Sequence, residues 1–333
     1  MVRRKLLIAA ALAALGLALA VPALRFAWFI AQPVAPSSPQ IVHIASGASF
    51  ANIAHTLKNQ GIVADAGKLK LLAHWRKAAS KIKAGEYAFE QPATPDAVLA
   101  RLVAGDVIRY RFTVPEGLTL REIAERLQAE GRGKADNFLA KAEDPAFCQQ
   151  MGIAAPTVEG YLFPETYLLT GDMTEEKLIQ TMVREFTRRL TPEIEAGAKR
   201  NNLNRTQLVT LASIIQKEAG TSSEMPLIAS VFHNRLRKGM PLQADPTVIY
   251  GIDNFDGNLT RKHLNTPTPY NTYQLLGLPA GPIANPGEEA LRAAAYPALT
   301  DYLFFVARGD GTHVFAQTLA EHNANVRKFQ LKR

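Results

Sequence analysis

The chain has 333 residues, 47% of them hydrophobic and 20% charged, a globular composition that excludes wholesale disorder and leaves room for two domains or one large domain with an appendage. Its net charge of +8 suits an anionic lipid surface or polymer as well as a merely solvated basic surface, and with no arginine-aromatic motif beside it, no nucleic-acid partner is indicated. A single cysteine, Cys148, excludes an internal disulfide and any CxxC site; the histidines lack HExxH spacing, so no metal is implied.

Residues 1–5 carry three cations, Arg3, Arg4 and Lys5, and residues 6–24 are uncharged and rich in Ala and Leu. That run can cross a hydrocarbon core as a helix. Arg25 ends it and Trp28 follows as an interfacial aromatic, so residues 6–30 read as a transmembrane anchor. The positive-inside rule keeps residues 1–5 in the cytoplasm and exports the rest. A cleaved signal peptide is the competing reading, because Ala18-Leu19-Ala20 has the small residues of a cleavage site. Residues 31–40, rich in Pro and Ser, read as an extended linker lifting the remainder off the membrane.

A weak repeat follows. Residues 42–61 (VHIASGASFANIAHTLKNQG) align with residues 112–131 (FTVPEGLTLREIAERLQAEG), matching Gly47 with Gly117, Ser49 with Thr119, Leu57 with Leu127 and Gly61 with Gly131. Each copy predicts a short strand, a glycine turn, a Ser/Thr cap and an amphipathic helix ended by glycine. With a strand at GEYAF (85–89) and a helix over 95–103, residues 41–106 form one β/α subdomain. Its layout resembles half of a LysM module, a fold often found on N-acetylglucosamine polymers; a purely structural packing of sheet edge on helix explains the pattern equally well.

Residues 107–333 form a larger mixed α/β domain, with helices expected over 175–189, 204–219 and 225–238 around a cleft. Residues 158–167 (VEGYLFPETY) suit a rigid turn in the cleft wall. Asn285-Pro286-Gly287-Glu288 reads as the capped start of a further helix, and residues 302–307 and 313–316 flank RGDGT as a hairpin. The fold class is therefore α+β: an N-terminal transmembrane helix, a small LysM-like β/α subdomain and a larger mixed α/β domain with helices around a cleft.

One helix holds the most informative residue. Asn204 and Gln207 have capping-box spacing, and Leu208, Leu211 and Ile215 make an apolar stripe that Glu218 continues. A carboxylate among apolar side chains near a helix C-terminus meets desolvation and the negative end of the helix dipole, and both raise its pKa. A Glu that stays protonated near neutrality can act as a general acid. A salt-bridged structural Glu fits the same spacing, with Lys217 or a distant arginine as partner.

Residues 212–251 (ASIIQKEAGTSSEMPLIASVFHNRLRKGMPLQADPTVIYG), 268–287 (TPYNTYQLLGLPAGPIANPG) and 302–323 (YLFFVARGDGTHVFAQTLAEHN), with the EGYLFPETY turn, resemble the endolytic murein transglycosylase family, also called YceG-like. That resemblance implies a bacterial inner-membrane enzyme, single-pass, with its bulk in the periplasm, cutting nascent peptidoglycan between N-acetylmuramic acid and N-acetylglucosamine. It places the family's catalytic glutamate on Glu218. The family commonly carries a second acid two residues earlier, where this chain has Gln216, which argues against a two-carboxylate mechanism built on that pair.

In such a lyase one carboxyl group suffices and no cofactor is needed. Glu218 protonates the glycosidic oxygen, then takes the proton from the muramic acid C6 hydroxyl as a 1,6-anhydro ring closes, ending glycan elongation. Within the matched motifs, Gln243, Asp245 and Thr247 are candidate substrate contacts if the segment alternates like a strand, and Tyr250, Asn271 and Tyr273 offer amide and aromatic contacts to sugars. Each also has a structural reading, as a core tyrosine or an Asx turn.

Two other functions fit the residues. Asp245 paired with Glu218 would make a muramidase-type hydrolase, and a non-catalytic wall-binding scaffold needs neither acid. Compartment suggests peptidoglycan synthases as further partners, although no residue names them.

Overall fold

The uncharged run becomes one helix, α1 (Val2–Ala31), in a computed structural model that describes residues 2–331. By length and composition α1 can cross a membrane, and its apolar stretch is not covered by the rest of the protein. The molecule is mixed α/β and divides into two units: residues up to Arg111 with Leu168–Met173, and Phe112–Tyr167 with Thr174 onward.

In the first unit, α1 is followed by β1 (Gln40–Ile44), α2 (Phe50–Asn59), α3 (Ala66–Trp75), β2 (Gly85–Phe89) and α4 (Pro95–Ala104). β1 and β2 pair antiparallel, Val42 opposite Tyr87. Alternation sends Val42, Ile44, Tyr87 and Phe89 to one face, where Leu57, Leu69, Leu72 and Leu102 from the helices close the core. Phe29 of α1 is 3% exposed in that core, with Phe26 and Ile30 packed against it. The Pro/Ser-rich segment after α1 is held at one point, since Val34 and Ala93 exchange backbone hydrogen bonds of 3.0 and 3.1 Å. The segment read as an extended linker is thus tethered at Val34.

β3 (Tyr110–Thr113) leads into the second unit. The later repeat copy continues there as α5 (Leu120–Ala129), and both copies follow the same local path. Gly47 and Gly117 turn the chain at φ +78° and +81°, while Ser49 and Thr119 accept from the backbone N–H of the third helical residue. Each turn needs the left-handed region, which glycine enters without a Cβ clash.

Next come α6 (Ala135–Ala142), α7 (Pro145–Gln150), β4 (Thr166–Leu169), α8 (Glu175–Arg189), α9 (Pro192–Arg200), α10 (Arg205–Glu218) and α11 (Met225–Arg237). α12 (Asp245–Tyr250), α13 (Arg261–Asn265), α14 (Glu288–Ala295), the hairpin β5 (Phe304–Ala307) and β6 (His313–Ala316), and α15 (Leu319–Phe329) complete the unit.

α10 lies at the centre. Residues 208–215 are all buried, so the helix is covered on every side rather than along one stripe. α14, α11, α9 and α12 surround it. The Asn204–Gln207 capping box closes its start, with reciprocal bonds of 2.9 Å.

Two sequence expectations are corrected here. α14 starts at Glu288 with Gly287 as its cap, because Asn285 is fully buried and otherwise engaged. The VEGYLFPETY turn is core rather than cleft wall: residues 158–164 are all buried, and a Cβ on Gly160 would lie 2.5 Å from Pro282 and 2.7 Å from Val209.

Candidate active site

The last residue of α10 opens into a cavity of about 410 Å³ lined by Glu218, Arg235, Gln243, Asp245, Tyr273 and the hairpin residues Phe305 and His313, among others. The middle of the helix that carries Glu218, residues 208–215, is buried, and of its residues only Glu218 lines this space. Glu218 is partly buried, and no hydrogen bond or ion pair ties its carboxylate to another described residue. Burial pushes its pKa up to about 7; the negative charge of Asp245 adds to the rise and Arg235 opposes it. The unpaired carbonyls at the end of α10 act in the same direction as burial. Near neutral pH Glu218 can therefore exist in both its protonated and its ionised form.

Arg235 is the cation of the site, and sequence reasoning passed over it. Two neighbours, His233 and Asn234, precede it on α11. Those two pack: His233 Nε2 bonds the Ala294 carbonyl at 2.8 Å, and Asn234 Nδ2 donates to the carbonyls of Thr300 and Tyr302. Arg235 itself is 8% exposed and donates to the carbonyls of Leu303 and Leu242, each at 2.7 Å. Burial lowers its pKa while the nearby Glu218 charge favours its ionised form. Backbone carbonyls rather than a carboxylate thus satisfy most of its donors, so the guanidinium does not clamp the acid.

The wall opposite comes from two stapled loops. Gln243 adopts φ +50°, rare for a residue with a Cβ, and its N–H donates to Thr272 O at 3.1 Å. Thr247 Oγ1 donates to Ala244 O at 2.7 Å and lies 2.8 Å from Thr272 Oγ1, which in turn accepts from Ala244 N–H. These bonds lock residues 243–247 to residues 271–273. Tyr273 then donates its hydroxyl to Asp245 Oδ1 at 2.6 Å, and that bond together with burial raises the phenol pKa.

The structure therefore brings Gln243, Asp245 and Tyr273 to the Glu218 cavity and leaves Thr247, Tyr250 and Asn271 outside it. The expected strand alternation fails because Asp245-Pro246 starts a helix, and α12 turns Thr247 inward to 0% exposure. Asn271, also 0% exposed, spends its amide on the carbonyls of His263, Leu264 and Thr266. Tyr250 donates to Glu159 Oε2 at 3.1 Å.

Glu159 is the other carboxyl group with a high pKa, about 7, raised by complete burial. It also accepts from Leu120 N–H at 3.1 Å and from Asn285 Nδ2 at 2.9 Å. Asn285 Oδ1 accepts from Leu162 N–H. This fully bonded cluster joins α5, the 158–164 turn and the segment before α14, where residues 282–287 are all buried. Its bonds are all internal, and it does not line the Glu218 cavity.

The fourth side of the cavity is the hairpin. Glu224 accepts from His313 N–H at 2.9 Å and faces His313 Nδ1 at 3.0 Å, fixing β6 beside the start of α11. Gly220 follows the end of α10, and a Cβ there would sit 2.0 Å from Gly311 O. No signal of short range in the sequence links residue 220 to 311 or 224 to 313.

The sequence pattern that defines the YceG-like family matches residues 42–328. A protein of Bacillus subtilis (strain 168) named endolytic murein transglycosylase is 34% identical over 304 residues, covering 86% of this chain and 84% of the relative. One of the same name from Streptococcus pneumoniae serotype 2 (strain D39 / NCTC 7466) is 31% identical over 317 residues; the match covers 86% of this chain but only 57% of that longer protein. Among solved structures, a putative YceG-like protein from Listeria monocytogenes superimposes with a TM-score of 0.60 at 32% identity, covering 86% of this chain and 98% of that one.

Proposed function

Because this chain belongs to the YceG-like family, we propose that it is an endolytic lytic transglycosylase, cleaving the bond between N-acetylmuramic acid and N-acetylglucosamine within peptidoglycan strands. The observation that carries the reading is Glu218: a carboxyl group with a pKa of about 7, without an ion-pair partner among the described residues, facing a polar cavity.

The chemistry follows from that state. Protonated Glu218 gives its proton to the glycosidic oxygen as the bond from the muramic acid C1 breaks. Positive charge grows on the sugar ring, and the carboxylate just formed stabilises it. The C6 hydroxyl then attacks C1 while Glu218 removes its proton, leaving a 1,6-anhydro end and a restored acid. Atoms balance without water, metal or cofactor. Gln243, Asp245 and Tyr273 would hold the sugar's hydroxyl and acetamido groups, and Thr247 would act behind them as a positioning residue.

One observation favours a second reading. Asp245 shares the cavity with Glu218, and two carboxylates are what a muramidase-type hydrolase uses. Mass spectrometry of digested sacculi separates the two, because each hydrolytic product carries one added water and each lyase product carries none. Anhydro ends from the wild type, absent with Glu218→Gln, are the expected result; products that all contain the added water would replace the lyase with the hydrolase.

The rest of the reading is placement. With Arg3, Arg4 and Lys5 ahead of its apolar run, α1 would span the inner membrane with its N-terminus in the cytoplasm and the two units in the periplasm. There the enzyme would meet strands still being polymerised and end their growth close to the peptidoglycan synthases. The order β1, α2, α3, β2 supports reading residues 41–106 as a LysM-like subdomain.

A further inference from the structure

α3 carries two large apolar side chains that the first unit leaves uncovered, Leu71 at 55% and Trp75 at 64% exposure. They lie four residues apart, so they share one side of the helix. The same side carries Lys68, whose Nζ lies 5.6 Å from the centre of the Phe29 ring of α1. At 100° per residue, Trp75 is about 20° around the helix from Lys68 and about 10 Å further along it. The exposed pair therefore flanks the place where α1 docks.

Where α1 docks is also where it should leave the membrane. The charge-free run ends at Arg25, and Phe29 lies four residues, or about 6 Å, beyond it. The headgroup region on each side of a bilayer is about 5 to 8 Å thick. A core residue of the first unit thus sits at headgroup depth, and the tethered segment after α1, with Val34 bonded to Ala93, gives the unit no slack to rise. Charge agrees with this placement. Residues 66–85 contain six cations, Lys68, Lys70, Arg76, Lys77, Lys81 and Lys83, and no carboxylate. Arg76 also lies over the Trp75 ring at 5.1 Å while paired to Asp96 at 3.0 Å, so the indole sits in a cationic frame. Indole beside lysines is the composition of a membrane interface.

We infer that the Leu71–Trp75 face of α3 lies in the headgroup layer of the membrane that α1 crosses, with its basic rim on anionic lipid, so that the first unit is a membrane-surface module. This rests on reading α1 as a span. Each lysine at such a surface contributes about a fivefold factor to partitioning, so the contact depends on anionic lipid and weakens with salt.

The test uses the full chain in nanodiscs. Its two tryptophans are Trp28 and Trp75, so Trp28→Phe leaves Trp75 as the sole reporter and Trp75→Phe leaves Trp28. In anionic discs Trp75 emission should shift to the blue, resist iodide and be quenched by lipids brominated near the top of their chains. Lys77→Glu with Lys81→Glu, or Leu71→Ser, should reverse those changes while circular dichroism stays unaltered. Trp28 quenched by bromolipid with Trp75 equally open to iodide in every disc overturns the inference and leaves the span standing. Trp28 beyond reach of bromolipid overturns both. Shielding of Trp75 by a chitooligosaccharide, without any lipid effect, would make this face a glycan platform and also overturns it.

Discussion

The Tyr273 hydroxyl donates to Asp245 Oδ1 at 2.6 Å on the wall of the cavity that Glu218 faces. That bond fixes a negative charge where it disfavours ionisation of Glu218, and so separates the roles of two acids in one space. In the proposed mechanism Glu218 holds the transferable proton, and the Asp245 charge helps keep it there.

Turnover should therefore fall as pH rises through about 7, where Glu218 loses its proton. Asp245→Asn keeps an acceptor for Tyr273 but removes the charge, so the alkaline limb of kcat/KM should move down by about 0.5 to 1 pH unit. A profile measured on defined glycan strands checks this; a limb that stays in place would assign the titration elsewhere.

Glu218→Gln should cost roughly 10²-fold to 10⁴-fold in turnover with the fold retained, since the amide keeps the shape and cannot deliver a proton. It should also stabilise. A folded pKa of about 7 against a reference of 4.5 means that the folded state binds the proton more tightly, so stability falls as pH rises through that window. The amide escapes that loss. At pH 8 the variant should be more stable by roughly 1 to 3 kcal/mol, with little difference at pH 4, by denaturant unfolding at both pH values.

Gly220→Ala should lower both stability and turnover. The added Cβ meets Gly311 O at 2.0 Å and Gly311 C at 2.9 Å, both backbone atoms, so either the end of α10 or the hairpin turn must move. A cost of about 1 to 3 kcal/mol is expected. Because Glu218 is two residues away, the drop in kcat should exceed the drop in folded fraction measured on the same sample.

Asn285→Ala should be among the most destabilising single changes. It removes donors to Glu159 Oε1 and Leu118 O and the acceptor for Leu162 N–H, all deep in the second unit. Leaving such groups unbonded costs about 1 to 3 kcal/mol each, so a total near 3 to 5 kcal/mol is expected from thermal or denaturant unfolding. Asn285→Asp should recover little, because it sets a second carboxyl group against Glu159.

Much of the local structure was legible in the sequence because its causes are local. Capping boxes link residues three apart, as Asn204 with Gln207 and Thr119 with Glu122. Left-handed turns call for glycine at 47, 61, 117 and 131, and an uncharged run of bilayer length announces α1. Glu218 stood out for the same reason: an acid at the apolar end of a helix is visible within one turn of sequence.

Tertiary structure alone decided what surrounds that acid. Gln243, Thr247, Asn271 and Tyr273 sit in neighbouring motifs with similar chemistry, yet Gln243 and Tyr273 reach the cavity while Thr247 bonds Ala244 and Thr272 and Asn271 bonds carbonyls of residues 263–266. Loops have no period from which a side chain's direction can be read, and the start of α12 at Asp245 turned Thr247 inward. Arg235, His313 and Gly311 meet the end of α10 from far along the chain, brought there by helix packing and by the pairing of β5 with β6. By itself the sequence determined the helices, caps and turns and singled out Glu218 as an acid at the apolar end of a helix, because those depend on interactions over three or four residues. Only the tertiary structure decided that Glu218 has no ion pair among the described residues, is raised in pKa and opens to a cavity, because desolvation and charge act through space between segments that no short-range pattern connects.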